Sequence, residues 1–182
     1  ASTLPNFKGT HIVRDPRDIV ISGYFYHKWC SEIWVRKRGE GGLSYQQKLN
    51  ATDQDNGLLL EIDRLSEGTM KDMRNWDYHD DRFLNLKYEE LITPSSSTIY
   101  SYIFSHYGFD GAERTLCMDI MELLSFRRRT GRRVGQLEDR AHLRNGKPGQ
   151  WKTYFKKSHE RKAKKLFGDV IVSLGYESDN SW

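Results

Sequence analysis

Three short stretches of this chain carry side chains whose types and spacing suit anion chemistry. The first is Arg14 followed eight residues later by Ser22, with Asp15-Pro16 between them. A guanidinium and a hydroxyl at that spacing can share one phosphate, bidentately from the Arg and through a single O–H from the Ser. The second is Arg144-Asn145-Gly146-Lys147-Pro148-Gly149-Gln150-Trp151-Lys152, cations threaded through glycines that let a backbone approach an anion closely. The third comprises Tyr88 and the Ser125-Phe126 pair, whose flat rings suit a purine face. Each has a simpler reading: Arg14 paired with a carboxylate, Tyr88 packed at a strand end, Phe126 in a core, Arg144 a solvated charge.

The elements that must position these residues follow from periodicity and punctuation. Gly9–Val13 contains Thr10, Ile12 and Val13 and reads as a strand. Asp15 is a good N-cap and Pro16 a good first helical residue, so a helix is expected from Pro16 to about Val35. Arg14 then stands at the carboxyl end of a strand beside a helix N-terminus, where open α/β sheets bind ligands. Phe83–Lys87 reads as a second strand, ending at Tyr88. Helices are expected over 44–50, from a Thr52 or Asp53 cap towards Trp76, from the Thr93-Pro94 and Ser95–Ser97 run to Gly108, and over 112–124. Residues 125–149 read as irregular and basic, and Ser158 as the cap of a last helix ending at Gly175. Two strands joined through helices should be parallel, and parallel sheets normally have several strands covered on both faces. The sheet is therefore expected to be incomplete in this chain.

Composition narrows the class. With 182 residues, 37% hydrophobic and 30% charged, the chain can form one domain with a sizeable core. Neither a membrane-spanning apolar run nor a signal peptide is found. Two cysteines, Cys30 and Cys117, suggest no disulfide framework, and the histidines show no metal-ligand spacing. The net charge of +4 is uneven: residues 127–165 hold fifteen Lys/Arg against three acids, which implies an anionic partner or a basic solvated face. With Trp151 and Tyr154 as stacking platforms that stretch would also suit a nucleic acid, a lesser reading.

Taken together, the stretches resemble the cytosolic-type sulfotransferases that use 3′-phosphoadenosine 5′-phosphosulfate. That family carries an Arg-Lys-Gly-x-x-Gly-Asp-Trp-Lys segment that closes over the donor, and an Arg and a Ser eight residues apart that hold its 3′-phosphate. Leu86-Lys87-Tyr88-Glu89-Glu90-Leu91 resembles its Tyr-Glu-Asp-Leu strand end, and Ser125-Phe126 its Ser-Phe element. The four elements stand in family order over residues 9–155. Asn145 replaces the usual Lys and Gln150 the usual Asp, with Lys147 a candidate to compensate.

The resemblance implies a P-loop-kinase-like layered α/β fold, a parallel sheet flanked by helices, in one domain over residues 1–182. It implies sulfuryl transfer to a hydroxyl or amine, releasing adenosine 3′,5′-bisphosphate, with no metal. It assigns the donor site to Arg14, Ser22, Tyr88, Ser125, Phe126, Arg144, Asn145 and Gly146. The acceptor would be a small molecule or glycan, bordered by Tyr24, Tyr26, Trp29 and the 36–42 loop. Nucleic acid is not implied, and the setting would be cytoplasmic. The family's 5′-phosphosulfate loop with its Lys, and its general-base His, are not matched in this chain. His11 lies on the Arg14 strand and His27 on the following helix, and both read as structural. The chain thus resembles the C-terminal portion of the family domain, and a nucleotide- or glycan-binding module without turnover is the alternative.

Overall fold

A computed structural model describes residues 7–39, 41–93 and 96–182. The chain divides into two compact units, the first comprising Ala1–Arg14, Asp77–Gln136 and Asn145–Lys147, the second Asp15–Trp76, Leu137–Arg144 and Pro148–Trp182. The expected start of a helix at Pro94 and Ser95 lies outside the described residues.

The first unit is built on β1 (Gly9–Val13) and β2 (Phe83–Lys87), which pair in parallel from Gly9 opposite Phe83 to Val13 opposite Lys87. Both strands have the expected bounds, because β-branched and apolar residues end there against charged turns. Among the described residues the sheet has these two strands. A short helix α6 (Tyr88–Leu91) leaves β2 directly, and α7 (Ser96–His106) follows. The Tyr100 hydroxyl donates to the Leu91 carbonyl at 2.7 Å, and Tyr107 shares a 2.6 Å hydrogen bond with Thr10 of β1. Helix α8 (Gly111–Leu123) starts with a capping box between Asp110 and Glu113. Residues 126–130, expected to be irregular, form α9 (Phe126–Thr130). Its N-cap is Ser125 and it ends at Gly131, left-handed at φ 69°.

The second unit is helical. Helix α1 (Pro16–His27) begins as expected, with the Asp15 carboxylate accepting from the Arg17 amide. It stops eight residues short of the expected Val35, and a separate turn α2 (Ile33–Arg36) follows. The reason lies on α3 (Tyr45–Ala51). There Gln46 donates to the carbonyls of His27 and Cys30 at 3.1 and 2.9 Å, and Asn50 to that of Lys28 at 2.9 Å. The carbonyls left open at the end of α1 are thus met by another helix, a tertiary cap with no local signature.

Asp53 caps α4 (Gln54–Glu67), and Gly68 separates it from α5 (Thr69–Asn75), so the single helix expected towards Trp76 is two. A further turn, α10 (Trp151–Tyr154), precedes α11 (Lys157–Ser173). The latter starts one residue before the expected cap Ser158, and the Lys156 amide donates to His159 Nδ1 at 2.9 Å. Its end is as expected: Gly175 has φ 67°, and Tyr176 N–H reaches back to the Ile171 carbonyl. Val20, Ile21, Leu49, Leu58, Ile62, Leu65, Phe167 and Ile171 are fully buried and form the core of this unit.

Candidate functional site

In the first unit the register of the sheet decides where Arg14 and Tyr88 stand. Val13 and Lys87 are the last paired residues, so Arg14 and Tyr88 follow side by side at the carboxyl ends of adjacent parallel strands. The Arg14 guanidinium carbon lies 4.8 Å from the centre of the Tyr88 ring, a cation–π contact. His11, three residues earlier in the chain, bonds through Nδ1 to Asn85 at 3.1 Å and lies against Tyr78.

Ser125, Phe126, Asn145 and Gly146 belong to the same unit. The Ser125 hydroxyl caps α9, accepting from the Arg128 amide at 3.4 Å, which fixes Phe126 as the first helical residue. Gly146 has φ 66°, and a Cβ built on it would stand 2.7 Å from the Phe126 ring. The ring and the glycine backbone are therefore in close contact that only glycine permits, for both conformational and steric reasons. Arg132 covers the ring at 5.2 Å. The Gly135 amide donates to the Asn145 carbonyl at 2.8 Å, holding this stretch to the chain after α9. Asn145 Oδ1 is buried with no hydrogen-bond partner among the described residues. A buried amide oxygen in that state costs free energy until a donor reaches it. A backbone free of Cβ beside an aromatic ring, with a buried amide oxygen open to a donor, is chemically compatible with a nucleotide.

The second unit holds Ser22 and Arg144. Ser22 is exposed on α1. Arg144 is buried and held on four sides. Its Nε donates to Asp139 at 3.1 Å, Nη1 to the Gln150 amide oxygen at 2.5 Å and Nη2 to the Tyr154 hydroxyl at 2.7 Å. Its planar face rests 3.6 Å from the centre of the Phe25 ring. Of the aromatics expected to border an acceptor, Tyr24 is buried against Gly57, where a Cβ would come within 2.4 Å of its ring, and so belongs to the core. Tyr26 meets Trp29 and His142 edge-on at 5.3 and 5.2 Å. His27 is also structural: Nδ1 bonds to the fully buried Glu61 at 2.6 Å, and Glu61 accepts from Arg64 Nε at 2.8 Å.

Sequence reasoning missed two residues of the first turn of α1. Arg17 is 2% exposed, paired with Asp15 at 2.8 Å and Glu177 at 2.5 Å, and sandwiched between Trp151 and Trp182 at 3.8 and 4.5 Å. Burial alone would lower its pKa, but the two carboxylates raise it overall. Asp18 is 1% exposed and accepts from the amides of Gly149 and Trp151. The Asp-Pro-Arg-Asp run was the available signal, but it reads as helix capping until the 149–151 backbone is seen against it.

Among the described residues no group of three His, Cys, Asp or Glu side chains is close enough to hold a metal ion. No described helix is long and apolar enough to cross a membrane. Comparison with known proteins matches residues 2–175 to the sulfotransferase domain family. Sulfotransferase 2A2 of Mus musculus is 26% identical over 175 residues, covering 92% of this chain and 57% of that protein's length. The chain thus spans little more than half of that relative.

Proposed function

The chain belongs to the sulfotransferase domain family, and from that premise we propose that it binds 3′-phosphoadenosine 5′-phosphosulfate as part of an enzyme sulfating a hydroxyl or amine. The observation that carries the donor reading is the Phe126 ring seated on the left-handed Gly146, next to the open amide oxygen of Asn145. A flat ring, a backbone free of Cβ and a buried polar atom together suit a nucleotide better than a generic anion.

In this reading Arg14 and Ser22 meet the 3′-phosphate, whose charge is close to two negative units. Arg144 adds a second planar cation, and Asn145 and Gly146 supply polar contacts without a further charge. Tyr88 and Phe126 orient the adenine, and the Ser125 cap keeps Phe126 in place. The donor, when bound, supplies the sulfuryl group on a phosphate–sulfate anhydride. The residues named here do the binding and orienting on which such a transfer depends. Tyr26 and Trp29 border the acceptor, a small molecule or a glycan. A cytoplasmic setting goes with this reading by resemblance to the cytosolic-type enzymes.

Calorimetric titration with adenosine 3′,5′-bisphosphate, with 5′-AMP as control, tests the proposal on wild type and Arg14→Ala. The expected result is a clear preference for the bisphosphate that falls at least about tenfold in the variant, as for loss of a charge-assisted bidentate contact. Equal affinity for both nucleotides in the wild type would refute the 3′-phosphate assignment.

A further inference from the structure

We propose that Asp18 is a positioning residue for Arg144, acting through the backbone of Gly149 and Trp151 and the side chain of Gln150. The proposal rests on the reading that Arg144 meets the 3′-phosphate, and all the residues it invokes lie within the second unit. A carboxylate as deeply buried as Asp18 needs strong donors to remain in place. Its donors include the Gly149 N–H at 2.6 Å and the Trp151 N–H at 2.9 Å. Gly149 is left-handed at φ 74° and Gln150 right-handed at φ −64°, ψ −29°. Successive residues of opposite hand point their amides into one concavity, a backbone nest that takes an anion. Here the anion is Asp18.

The nest sets the direction of the side chain between its two bonded amides. Gln150 lies between Gly149 and Trp151, and its amide oxygen accepts from Arg144 Nη1. Tyr154, which accepts from Nη2, stands on the turn that begins at Trp151. Two of the four groups around the guanidinium are thus carried by a backbone that Asp18 holds. Arg17 grips the same stretch from its neighbouring position, flat against Trp151. A further polar partner, Asp139, has a side chain 59% exposed and is a poor anchor. With Asp18 neutralised, the nest loses its anion and Gln150 no longer has a fixed direction. Arg144 then keeps the Phe25 ring and Asp139 but loses the groups that aim its Nη atoms. The unusual Gln150 fits this role: an amide oxygen aims the guanidinium without adding a second carboxylate to cancel its charge.

The test titrates wild type, Asp18→Asn, Gln150→Ala and Arg144→Ala with adenosine 3′,5′-bisphosphate and with 5′-AMP, and follows amide hydrogen exchange of Gly149 and Trp151. Asp18→Asn and Gln150→Ala are expected to lose bisphosphate affinity on the order of tenfold. Their 5′-AMP affinity should hold, and the two amides should exchange faster in Asp18→Asn. Gln150→Ala leaves the Asp18 contacts intact, so it remains informative if Asp18→Asn folds poorly. A bisphosphate affinity unchanged in Gln150→Ala, or an equal loss for both nucleotides, overturns the inference. So do unchanged exchange rates in Asp18→Asn. If Arg144→Ala loses no bisphosphate affinity, it is the 3′-phosphate reading of Arg144 that fails.

Discussion

At the scale of single residues, Gly146 is the most constrained position. Its φ of 66° disfavours any L side chain, and the Phe126 ring occupies the space a Cβ would need. Gly146→Ala should therefore cost about 1–2 kcal/mol of stability from the left-handed backbone alone. It should also displace the Phe126 ring and weaken nucleotide binding by more than the stability loss explains. Urea unfolding and bisphosphate titration on the same preparation separate the two effects. Asn145 and Gln150 show how departures from a family pattern act. Each replaces a charge by an amide and keeps directional contacts, but with opposite sign: Asn145 removes a cation and lowers the pull on a phosphate, whereas Gln150 removes a carboxylate and raises it. Arg144 shows the reverse: its type was legible, and Asp139, Gln150 and Tyr154 lie near it in the sequence, but the Phe25 ring against its planar face comes from a distant helix.

At the scale of elements, α1 organises the second unit through separate faces. Its first turn holds the 149–151 backbone and the Trp151–Arg17–Trp182 stack. Its interior face packs on α4, where Tyr24 covers Gly57. Its last turn ends in His27 on Glu61. The α1–α4 contact depends on the missing side chain at position 57, since a Cβ would come within 2.4 Å of the Tyr24 ring. Gly57→Ala would ordinarily favour a helix. Here it should destabilise by about 1–3 kcal/mol through overpacking, with a lower urea midpoint and an unchanged slope. Helix ends were less legible than helix interiors. Pro16 and Gly175 stood as expected because their caps are local, whereas α1 ended early because Gln46 and Asn50 reach in from α3.

At the scale of the whole chain, the basic stretch from 127 to 165 is divided between the two units. Its α9 arginines belong to the first unit and its α11 lysines to the second. Lys162 pairs with Asp63 at 2.6 Å, Lys156 with Asp55 and Arg144 with Asp139, so part of this charge is met by carboxylates within the second unit. One long-range pair joins α5 to α11: Arg74 grips Asp169 bidentately at 2.7 Å and also donates to the Leu166 carbonyl. Its hydrogen bonds hold the Asp169 carboxyl below the ordinary 3.8. A depressed carboxylate adds stability above its unfolded pKa and loses it as pH falls through the folded value. Arg74→Gln should therefore be less stable than wild type near neutral pH, and the gap should narrow as pH drops below about 4. Urea midpoints across that range, with the neutral-pH gap smaller in high salt, are the check.

The sequence by itself determined the parallel strand pair, the Asp15-Pro16 helix start, the family and the residue types suited to a donor site. These rest on period, capping chemistry and short motifs, each local in the chain. Only the tertiary structure decided where α1 ends, that Tyr24 is core, that Phe126 rests on Gly146, and that Asp18 and Arg17 hold the 149–151 stretch. Those outcomes depend on groups from distant segments meeting in space. A buried carboxylate finding two amides 131 and 133 residues away leaves no mark in its own neighbourhood of the sequence.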